Sequence, residues 1–395
     1  MPPQRGTATA AGGARRHPFV SRTGRGPARS SLSLHLASQP IGSMPRHSRH
    51  RQGSRRIHCR QPELSCACQI KEDLVGSVRD EVLSFSAQHG LMMRMRPDAD
   101  PTGVGMVHVP VSLLPAFPIP SRQFSAARDL AKPFNRLVER IASDPAYLER
   151  VLGAAADRDD FTRKLLEIHR KVEGMHMPSI ARRNLAIHRS DYMLDEATQA
   201  ILQVELNTIS SSFGAHSTLV ARLHRHILSK FDLGPGEDQV PYHDTTGAIV
   251  DAFASAVEAY PSTSSGQAGE LVVLMVVQEG ERNILDQQIP EHALWHRHGI
   301  RTVRKTLTEI AQCCQLTSDG RLLILDPTVG NGEVAVTYLR AGYGPGDYPS
   351  KVQWQARSML EQSKAFKCPS IAYQLVGCKK VQQNLAEPGV LERFT

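Results

Sequence analysis

Acidic residues and lysines are absent from the first sixty positions of this 395-residue chain, although the same segment contains twelve arginines. The formal net charge of +8 therefore does not describe the rest of the chain. Removing those twelve arginines from the 47 basic residues leaves 35 against 39 acidic residues, a net charge of −4 for positions 61–395. Because a basic surface is required for phosphate-backbone binding, we expect no nucleic-acid partner.

The first sixty residues are rich in arginine and serine, a composition typical of an organellar transit peptide. This interpretation predicts a plastid or mitochondrial protein and excludes residues 1–60 from the folded part. Two alternatives stay open. The segment is a disordered basic tail, or it precedes a true start at Met44 or Met92, in which case the protein is cytoplasmic.

Long apolar runs are also missing. None reaches the roughly 18 residues that a membrane span requires, so we expect no membrane association. The seven cysteines are odd in number, and neither Cys66-x-Cys68 nor Cys313-Cys314 has the spacing of a zinc site, so reduced thiols are expected. The pairs His224-x-His226 and His296-x-His298 fall in predicted helices, where positions i and i+2 do not share a face, so both pairs are expected on the surface.

The remaining pattern predicts an α/β protein. With 41% apolar and 22% charged residues, the chain is long enough for two or three domains. Helical spacing covers 72–90, 122–172 and 216–230, Asp144-Pro-Ala indicates a helix start, and strands are expected at 183–188 and 201–207, with one short candidate within 106–114. The Ser/Gly-rich stretch 262–269 indicates a boundary near 265. Beyond it, strands at 271–277, 299–303, 321–326 and 333–339 and helices at 283–297 and 351–366 predict a small parallel or mixed sheet covered by helices.

The strand at 201–207 carries the first candidate site. Side chains alternate along a strand, so Glu205 and Asn207 point to the same face. A carboxylate beside an amide oxygen suits Mg²⁺, which keeps water ligands and bridges substrate phosphates. The hydroxyl-rich turn from Thr208 to Ser212 could then bind a substrate carboxylate. A solvated or helix-capping pair of side chains is the alternative interpretation of Glu205 and Asn207.

Four blocks of sequence, in order, resemble the eukaryotic-type glutathione synthetase family. They are His188-Arg-Ser-Asp-Tyr-Met with Gln203-Val-Glu-Leu-Asn-Thr-Ile-Ser-Ser-Ser-Phe-Gly214, then Gln278-Glu-Gly-Glu-Arg-Asn-Ile-Leu-Asp-Gln287, then Tyr338-Leu-Arg-Ala-Gly-Tyr343, and Lys367-Cys-Pro-Ser-Ile-Ala-Tyr-Gln-Leu-Val-Gly-Cys-Lys-Lys-Val-Gln-Gln383. The resemblance extends from about residue 70 to the last residue. The sequences at 340–343 and 388–394 are similar to those of plant and algal members.

The resemblance implies an ATP-grasp-type ligase with an inserted small α/β substrate-binding domain. In such an enzyme, ATP phosphorylates the cysteinyl carboxylate of γ-glutamylcysteine, and the amine of glycine displaces phosphate from the acyl phosphate. ATP and Mg²⁺ are implied, as is a homodimer. The implied organisation is a basic segment at 1–60, an N-terminal α/β part at 61–265, the substrate-binding domain at 266–376 and the start of the ATP-binding part at 377–395.

The family's functional residues transfer to this chain position by position. Glu205 and Asn207 match the Mg²⁺ ligands, Glu205 and Lys379 match positions near the nucleotide, and Arg189 and Lys379 are the implied catalytic cations. The residues that match dipeptide-binding positions are Arg189, Ile209, Ser210, Ser211, Ser212, Glu281, Arg282, Asn283, Gln287, Arg340, Ala341, Gly342 and Tyr343. The groups at 281–283 and 340–343 each follow a predicted strand. Ligands bind parallel sheets at the carboxyl ends of the strands. A capped helix at 283 and an exposed turn at 340 are the alternatives.

This chain departs from the family pattern at three points. Ala341 stands where animal members have aspartate, and Cys378 replaces the usual threonine beside the nucleotide lysine. The sequence stops at Thr395, where family members continue, and no G-x-x-x-x-G-K-[ST] motif occurs upstream. We therefore expect a C-terminally truncated synthetase from which the ATP-grasp lid is missing. A non-catalytic fragment that retains the dipeptide-binding domain is the alternative.

Overall fold

The computed structural model describes residues 70–115, 120–175, 184–233, 240–261 and 270–395. Its first part is mostly helical, as the apolar spacing predicts. The elements in this part are α1 (Glu72–His89), β1 (Met92–Arg94), β2 (Met106–His108), α2 (Ser121–Ala142), α3 (Pro145–Ala156) and α4 (Asp160–Gly174). The two short strands pair with each other antiparallel. The predicted strand within 106–114 is therefore shortened to its first three residues.

Capping residues divide the long helical region into three helices. Asp144 begins α3, and its side chain accepts the backbone N–H of Tyr147 at 2.9 Å, with Pro145 at the first helical position. Asp159 caps α4 through the N–H groups of Phe161 and Thr162. A carboxylate in this position satisfies backbone donors that have no partner within the helix. The predicted helix start at Asp144 is confirmed.

A separate antiparallel hairpin follows, formed by β3 (Arg189–Leu194) and β4 (Ile201–Asn207). Its register places Arg189 opposite Asn207 and Asp191 opposite Glu205. The strand at 201–207 is thus confirmed, whereas the strand predicted at 183–188 is wrong for the described residues 184–188. Leu185 and Ile187 pack against the core of the larger sheet instead, and strand pairing with β4 begins only at Arg189.

The next helices are α5 (Gly214–Lys230) and α6 (Thr245–Glu258). His224, on α5, corrects the expectation of a surface histidine, because it is 7% exposed and its Nε2 lies 3.0 Å from the carbonyl oxygen of Ser112. Its neighbour His226 does remain accessible and contacts Glu81 at 2.6 Å. The difference arises because α5 packs against both α1 and α6, which leaves little of its surface in solvent.

A six-stranded mixed sheet forms the centre of the remaining chain. Its strands lie in the order β6 (Arg301–Lys305), β5 (Leu271–Val276), β9 (Gly332–Leu339), β8 (Leu322–Ile324) and β7 (Cys314–Leu316), and β10 (Phe366–Cys368) pairs with β9. The helices are α7 (Ile284–His298), α8 (Leu307–Cys313), α9 (Lys351–Gln362), α10 (Ile371–Val376) and α11 (Lys379–Leu385). The expected mixed sheet is confirmed. The pairs β5–β6, β5–β9 and β9–β10 are parallel.

Strand β5 shows how the sheet is covered on both faces. Val272, Leu274 and Val276 face one core, which also contains residues of α8 and α9. Val273 and Met275 face the opposite core, with residues of α6 and α7. A strand buried on both faces has an uninterrupted apolar sequence, as Leu-Val-Val-Leu-Met-Val does. The carboxyl ends of β5 and β9 meet at one edge of the sheet. The loops that carry Glu281 and Arg340 both start there.

Two predicted boundaries in this part need correction. The strand predicted at 299–303 lies at Arg301–Lys305, because Gly299 ends α7 in the left-handed region with φ of 66°. The helix predicted at 351–366 ends at Gln362, and Phe366 then begins β10, where pairing with β9 overrides helical spacing.

No helix among the described residues is long and apolar enough to cross a membrane. The linker 262–269, with the predicted boundary near 265, falls within residues that the structure does not describe.

Candidate functional site

Four charged or amide side chains cluster at the open end of the β3–β4 hairpin. Arg189 donates from Nε and Nη2 to the two oxygens of Asp191, at 2.9 and 3.1 Å. Asn207 Nδ2 donates to Glu205 Oε1 at 3.0 Å and to Asp191 Oδ2 at 3.2 Å. The strand alternation thus places Glu205 and Asn207 side by side, as predicted. Asp191, directly across the hairpin from Glu205, also belongs to the cluster and was not predicted.

Lys379 joins this hairpin cluster from a distant part of the chain. It is the first residue of α11, and its Nζ donates to Glu205 Oε2. The neighbouring Lys380 donates instead to Gln383 within its own helix, at 3.1 Å. Lys379, and then the amide of Asn207, lower the pKa of the Glu205 carboxyl to about 2. Glu205 is consequently ionised at every physiological pH.

Gln382 fixes the relative position of Lys379 and Glu205. Its side-chain amide accepts the backbone N–H of Leu206 at 3.0 Å and donates to the carbonyl oxygen of Leu206 at 3.1 Å. The same nitrogen donates to the carbonyl of Gly377 at 2.9 Å. Gln382 therefore satisfies the free edge of β4 as a neighbouring strand would. Sequence reasoning missed this role, because the contact spans 176 positions.

Gly377 brings the start of α11 close to the end of β4. A Cβ atom at this position would overlap the side-chain oxygen of Thr208, which is itself 2% exposed. The backbone of Gly377 is in the right-handed helical region, so glycine is needed here for space and not for its dihedral freedom. Gly377 and Gln382 together hold the helix that carries Lys379 against the strand that carries Glu205.

The donor set of the hairpin cluster fits a hard divalent cation. Carboxylate oxygens of Glu205 and Asp191 are ligands of the kind that Mg²⁺ prefers, whereas Asn207 directs its Nδ2 toward them and would offer its side-chain oxygen to a cation after rotation of the amide. No group of three or more His, Cys, Asp or Glu side chains in the described part of the chain is arranged to hold a metal ion. A cation at Glu205 and Asn207 would therefore complete its shell with water or with oxygens of a substrate.

The serine turn, residues 208–212 after β4, is held by hydrogen bonds to the ends of β4 and β9. Ser211 Oγ donates to the carbonyl of Asn207 at 3.2 Å, and Ser210 Oγ donates to the carbonyl of Leu339, at the end of β9, also at 3.2 Å. Ser210 has φ of 51°, in the left-handed region. Ile209, which matched a dipeptide-binding position, packs partly buried against the core of the larger sheet. The turn thus connects the hairpin to the edge of that sheet.

Asp286 connects the serine turn to the loop after β9. Its fully buried carboxylate accepts three backbone N–H groups at the start of α5, those of Phe213 (2.8 Å), Ala215 (3.1 Å) and His216 (3.2 Å). It also pairs with the guanidinium of Arg340 at 3.3 Å. A carboxylate at a helix N-terminus is stabilised by the free N–H groups and the helix dipole. Asp286 was not predicted. Its spacing from Pro290 and Leu294, on the buried face of α7, is the signal that could have revealed it.

Arg340 is committed to this buried network. Its side chain is 5% exposed, and Nη1 also contacts the carbonyl of Ser211 and the hydroxyl of Tyr338, both at 3.3 Å. Arg340 Nε is buried and has no hydrogen-bond partner among the residues that the structure describes. The resemblance implied a direct dipeptide contact for Arg340. The structure shows that its two terminal nitrogens hold the serine turn and Asp286, which leaves Nε as the group without an assigned partner.

The residues between β5 and α7 form a compact polar loop. Glu281 accepts the backbone N–H of Asn283 at 2.7 Å and the side-chain amide of Gln287 at 3.0 Å. Gln287 is fully buried, and its oxygen accepts from Arg304 at 2.7 Å. Arg282 donates to the carbonyl of Arg94 at 3.1 Å. Gln287 is therefore occupied by contacts within the protein, whereas Asn283, at the helix start, has a buried Oδ1 with no hydrogen-bond partner among the described residues.

The loop after β9 is shaped by Asp347. Its Oδ2 accepts the N–H groups of Gly342 (2.9 Å), Tyr343 (3.1 Å) and Gly344 (3.3 Å). Gly342 has φ of 92°, and a Cβ there would lie 2.8 Å from the hydroxyl of Tyr348, so any other residue at this position would be strained. Tyr343 is half exposed, and Gln278 Nε2 donates to its hydroxyl at 3.2 Å. Ala341, in contrast, is buried in the sheet core.

The predicted residues thus form two groups that the serine turn connects. The hairpin cluster contains Arg189, Glu205, Asn207 and Lys379 together with the unpredicted Asp191. The residues at the sheet edge are Ser210, Ser211, Ser212, Glu281, Arg282, Asn283, Gln287, Arg340, Gly342 and Tyr343. Ile209 and Ala341 contribute packing at their positions. Gln374, on α10, donates to the carbonyl of Gly342 at 3.0 Å, so the helix preceding Lys379 also touches the sheet edge.

Comparisons with known proteins identify the family of this chain. Residues 72–395 match the family described as eukaryotic glutathione synthase, ATP binding domain. The chain is 41% identical over 330 residues to the chloroplastic glutathione synthetase of Solanum lycopersicum, covering 82% of this chain and 58% of that protein. It is 40% identical over 338 residues to the glutathione synthetase of Dictyostelium discoideum, covering 82% and 68%.

A solved structure supports the fold alone. The apo form of a glutathione synthetase-like effector from Globodera pallida superposes with a TM-score of 0.64 at 20% identity, covering 82% of this chain and 68% of that one. The chain spans 58% and 59% of the tomato and Arabidopsis thaliana relatives that it matches. The family match covers most of the chain, at identities that reach 41% over its aligned part. This chain belongs to the eukaryotic glutathione synthetase family.

Proposed function

We propose that this chain provides the dipeptide-binding and cation-binding part of a glutathione synthetase. The reaction is the ATP-dependent ligation of γ-glutamylcysteine and glycine through an acyl phosphate. The observation that supports it best is the hairpin cluster, in which Arg189, Glu205 and Asn207 meet Lys379 from a position 174 residues away from Glu205. These residue types match the family's cation-binding and nucleotide-binding positions.

The chemistry requires positioning and positive charge, because the substrate carboxylate is itself the nucleophile toward the γ-phosphate. Lys379 lies on the exposed side of the cluster, with its side chain 71% accessible, and can reach phosphate oxygens. Arg189 presents a planar guanidinium at the open end of the hairpin, where it pairs with Asp191, and the same geometry suits a carboxylate of the dipeptide. Mg²⁺, when bound at Glu205 and Asn207, supplies charge neutralisation for the transferred phosphoryl group.

The sheet edge is proposed as the dipeptide site. Its accessible polar groups are those of Ser212, Arg282 and Tyr343, while Glu281, Gln287 and Arg340 support the loops that carry them. A site of this kind lies where ligands bind open α/β sheets, at the carboxyl ends of the strands. Gly342 and Ala341 set the backbone course that brings Tyr343 to the surface.

The finer architecture is also proposed. Residues 266–376 would form the small inserted substrate-binding domain of an ATP-grasp-type ligase, 61–265 its N-terminal α/β part, and 377–395 the start of the ATP-binding part. A homodimer is proposed from family membership. Plastid or mitochondrial targeting is proposed from the Arg/Ser-rich composition of residues 1–60 and agrees with the chloroplastic names of the plant relatives.

The test joins this chain to the C-terminal third of the tomato relative and measures glutathione formation with ATP, Mg²⁺, γ-glutamylcysteine and glycine. We expect activity, and we expect Glu205→Gln to lower it by about two orders of magnitude or more, because an aligned charge for the transition state is lost. The control is Glu196→Gln, an exposed glutamate on the turn of the same hairpin, which should leave activity unchanged. Wild-type activity in Glu205→Gln would refute the proposed cation site.

The 395-residue chain is assayed alone in parallel. The proposed dipeptide site predicts that the chain alone binds γ-glutamylcysteine, and glutathione formation is measured with the same substrates. Dipeptide binding by an inactive joined protein would favour the alternative of a non-catalytic dipeptide-binding protein. Glutathione made by the chain alone would leave the proposed function in place.

A further inference from the structure

The hairpin cluster is electrically neutral and internally satisfied. Each oxygen of its two carboxylates faces an N–H donor of the protein. Glu205 Oε1 accepts from Asn207 and Oε2 from Lys379, while Asp191 Oδ1 accepts from Arg189 and Oδ2 from both Arg189 and Asn207. Two cationic side chains thus balance two anionic ones. The electrostatic attraction that two carboxylates would otherwise offer to a free divalent cation is largely cancelled.

Lys379 is the member of the cluster best able to leave. Its side chain is 71% exposed, whereas the side chains of Arg189, Asp191 and Glu205 are 40%, 33% and 26% exposed. An exposed lysine–carboxylate pair is weak and carries a considerable entropy cost for the lysine side chain. The helix that carries Lys379 is held in place by Gln382, so the ammonium can move to another anion without movement of the backbone.

We propose that Lys379 is a built-in counter-ion that keeps the Glu205 site closed to free divalent cations until a polyphosphate ligand takes up the lysine. This inference rests on the proposed function and adds an order of binding to it. The anionic ligand is a nucleoside polyphosphate, whose oxygens compete with the Glu205 carboxylate for the ammonium. When Lys379 contacts those oxygens, the cluster has a net negative charge. Glu205 can then bind the cation that accompanies the polyphosphate.

The orientation of the Asn207 side chain supports the same order of binding. Its amide presents N–H, and not oxygen, to both carboxylates. In that orientation it acts as a further positive partial charge toward Glu205 and Asp191. Removal of the ammonium is therefore the change that most increases the negative potential at Glu205, since Arg189 remains paired with Asp191 through two hydrogen bonds.

The test uses the 395-residue chain and Mn²⁺ alone, without nucleotide, with bound and free Mn²⁺ measured by electron paramagnetic resonance. We expect weak binding in the wild type and about tenfold tighter binding in Lys379→Met, because a unit positive charge next to the divalent cation is removed. Lys379→Arg retains the charge and should bind as weakly as the wild type. The control Lys380→Met removes a neighbouring lysine that faces Gln383 and should change nothing.

Two further measurements separate the possible failures. The gain in Lys379→Met should shrink as ionic strength rises, because exposed charges are screened by salt, whereas a purely structural effect would not. Adding Glu205→Gln to Lys379→Met should abolish the gain. Equal Mn²⁺ affinity in the wild type and Lys379→Met overturns the inference alone, provided that Glu205→Gln weakens binding. Binding that is independent of Glu205 in every background refutes the proposed cation site itself.

Discussion

Two ion networks lie at either end of the serine turn, and they differ in exposure. In the hairpin cluster, Lys379 and Glu205 are 71% and 26% exposed, so their pairing competes with water and with incoming ligands. In the buried network, Asp286 and Arg340 are 0% and 5% exposed. An exposed pair contributes little to stability, whereas breaking a buried one leaves an uncompensated charge in the interior. The first network can therefore exchange partners, and the second fixes the geometry of the loops.

Asp286→Asn should have the largest effect, because it removes the buried counter-ion of Arg340. This change keeps the shape of the side chain but leaves Arg340 without its counter-ion and weakens the acceptor for three N–H groups of α5. We expect a loss of about 3–5 kcal/mol in the free energy of unfolding, measured by urea denaturation. The matched change in the exposed network, Glu205→Gln, should cost less than about 1 kcal/mol. Equal losses would show that burial does not distinguish the two networks.

A double-mutant cycle identifies the cause of that loss. Replacing Arg340 with methionine in the Asp286→Asn background removes the unpaired charge, so the double variant should be more stable than the sum of the single losses predicts. Additive losses would mean that Asp286 acts through the backbone of α5 and not through Arg340.

The next largest effect concerns the junction between the hairpin and α11. Gly377→Ala places a Cβ against the buried oxygen of Thr208, and overpacking of this kind costs about 1–3 kcal/mol. Because Gly377 precedes Lys379 by two residues, the same variant should also change Mn²⁺ affinity. The control is Gly76→Ala on α1, where a Cβ meets no atom within 4 Å and alanine favours the helix. Thr208→Ala should restore part of the stability of Gly377→Ala, and no recovery would contradict the steric explanation.

Local signals in the sequence predicted much of the fold. The alternation along 201–207 predicted β4 and the shared face of Glu205 and Asn207, and the Asp-Pro pair predicted the start of α3 at Asp144. Both depend on contacts within a few residues. Helix α6 had comparable signals, with Asp244 as its capping residue, but was not predicted. Of the boundaries that failed, the one at β10 depends on pairing with β9, whereas β3 pairs with the adjacent strand of its own hairpin and β6 begins only after Gly299 ends α7.

The supporting residues of the candidate site could not be read from local pattern. The spacing of Asp286 from Pro290 and Leu294 places it on the buried face of α7, but its partners lie 54 to 73 positions away and cannot be read from that spacing. Gln382 looks like a solvated helix residue, although it closes the edge of β4. The resemblance to a family supplied Lys379 and Glu205 as functional residues, but their mutual contact appears only in the three-dimensional structure. Candidate ligand-binding residues are therefore easier to propose from a sequence than the residues that position them.

The smallest expected effect is the titration of Glu205, and it measures the exposed pair directly. Lys379 and Asn207 lower the pKa of Glu205 to about 2, below its ordinary value in an unfolded chain. The stabilisation from this pair is therefore fully present above the ordinary pKa, near pH 4.5, and is lost as the pH falls toward 2.

In carbon-13 NMR of labelled glutamate side chains between about pH 3.5 and 5.5, around the ordinary carboxyl pKa, Glu205 should stay ionised in the wild type. In Lys379→Met it should gain protons within this range, because the largest cause of its lowered pKa is gone, while Lys380→Met should match the wild type. An unchanged titration in Lys379→Met would mean that the ammonium does not neutralise Glu205 in solution, and the exposed network would then lack the exchangeable pair that distinguishes it from the buried one.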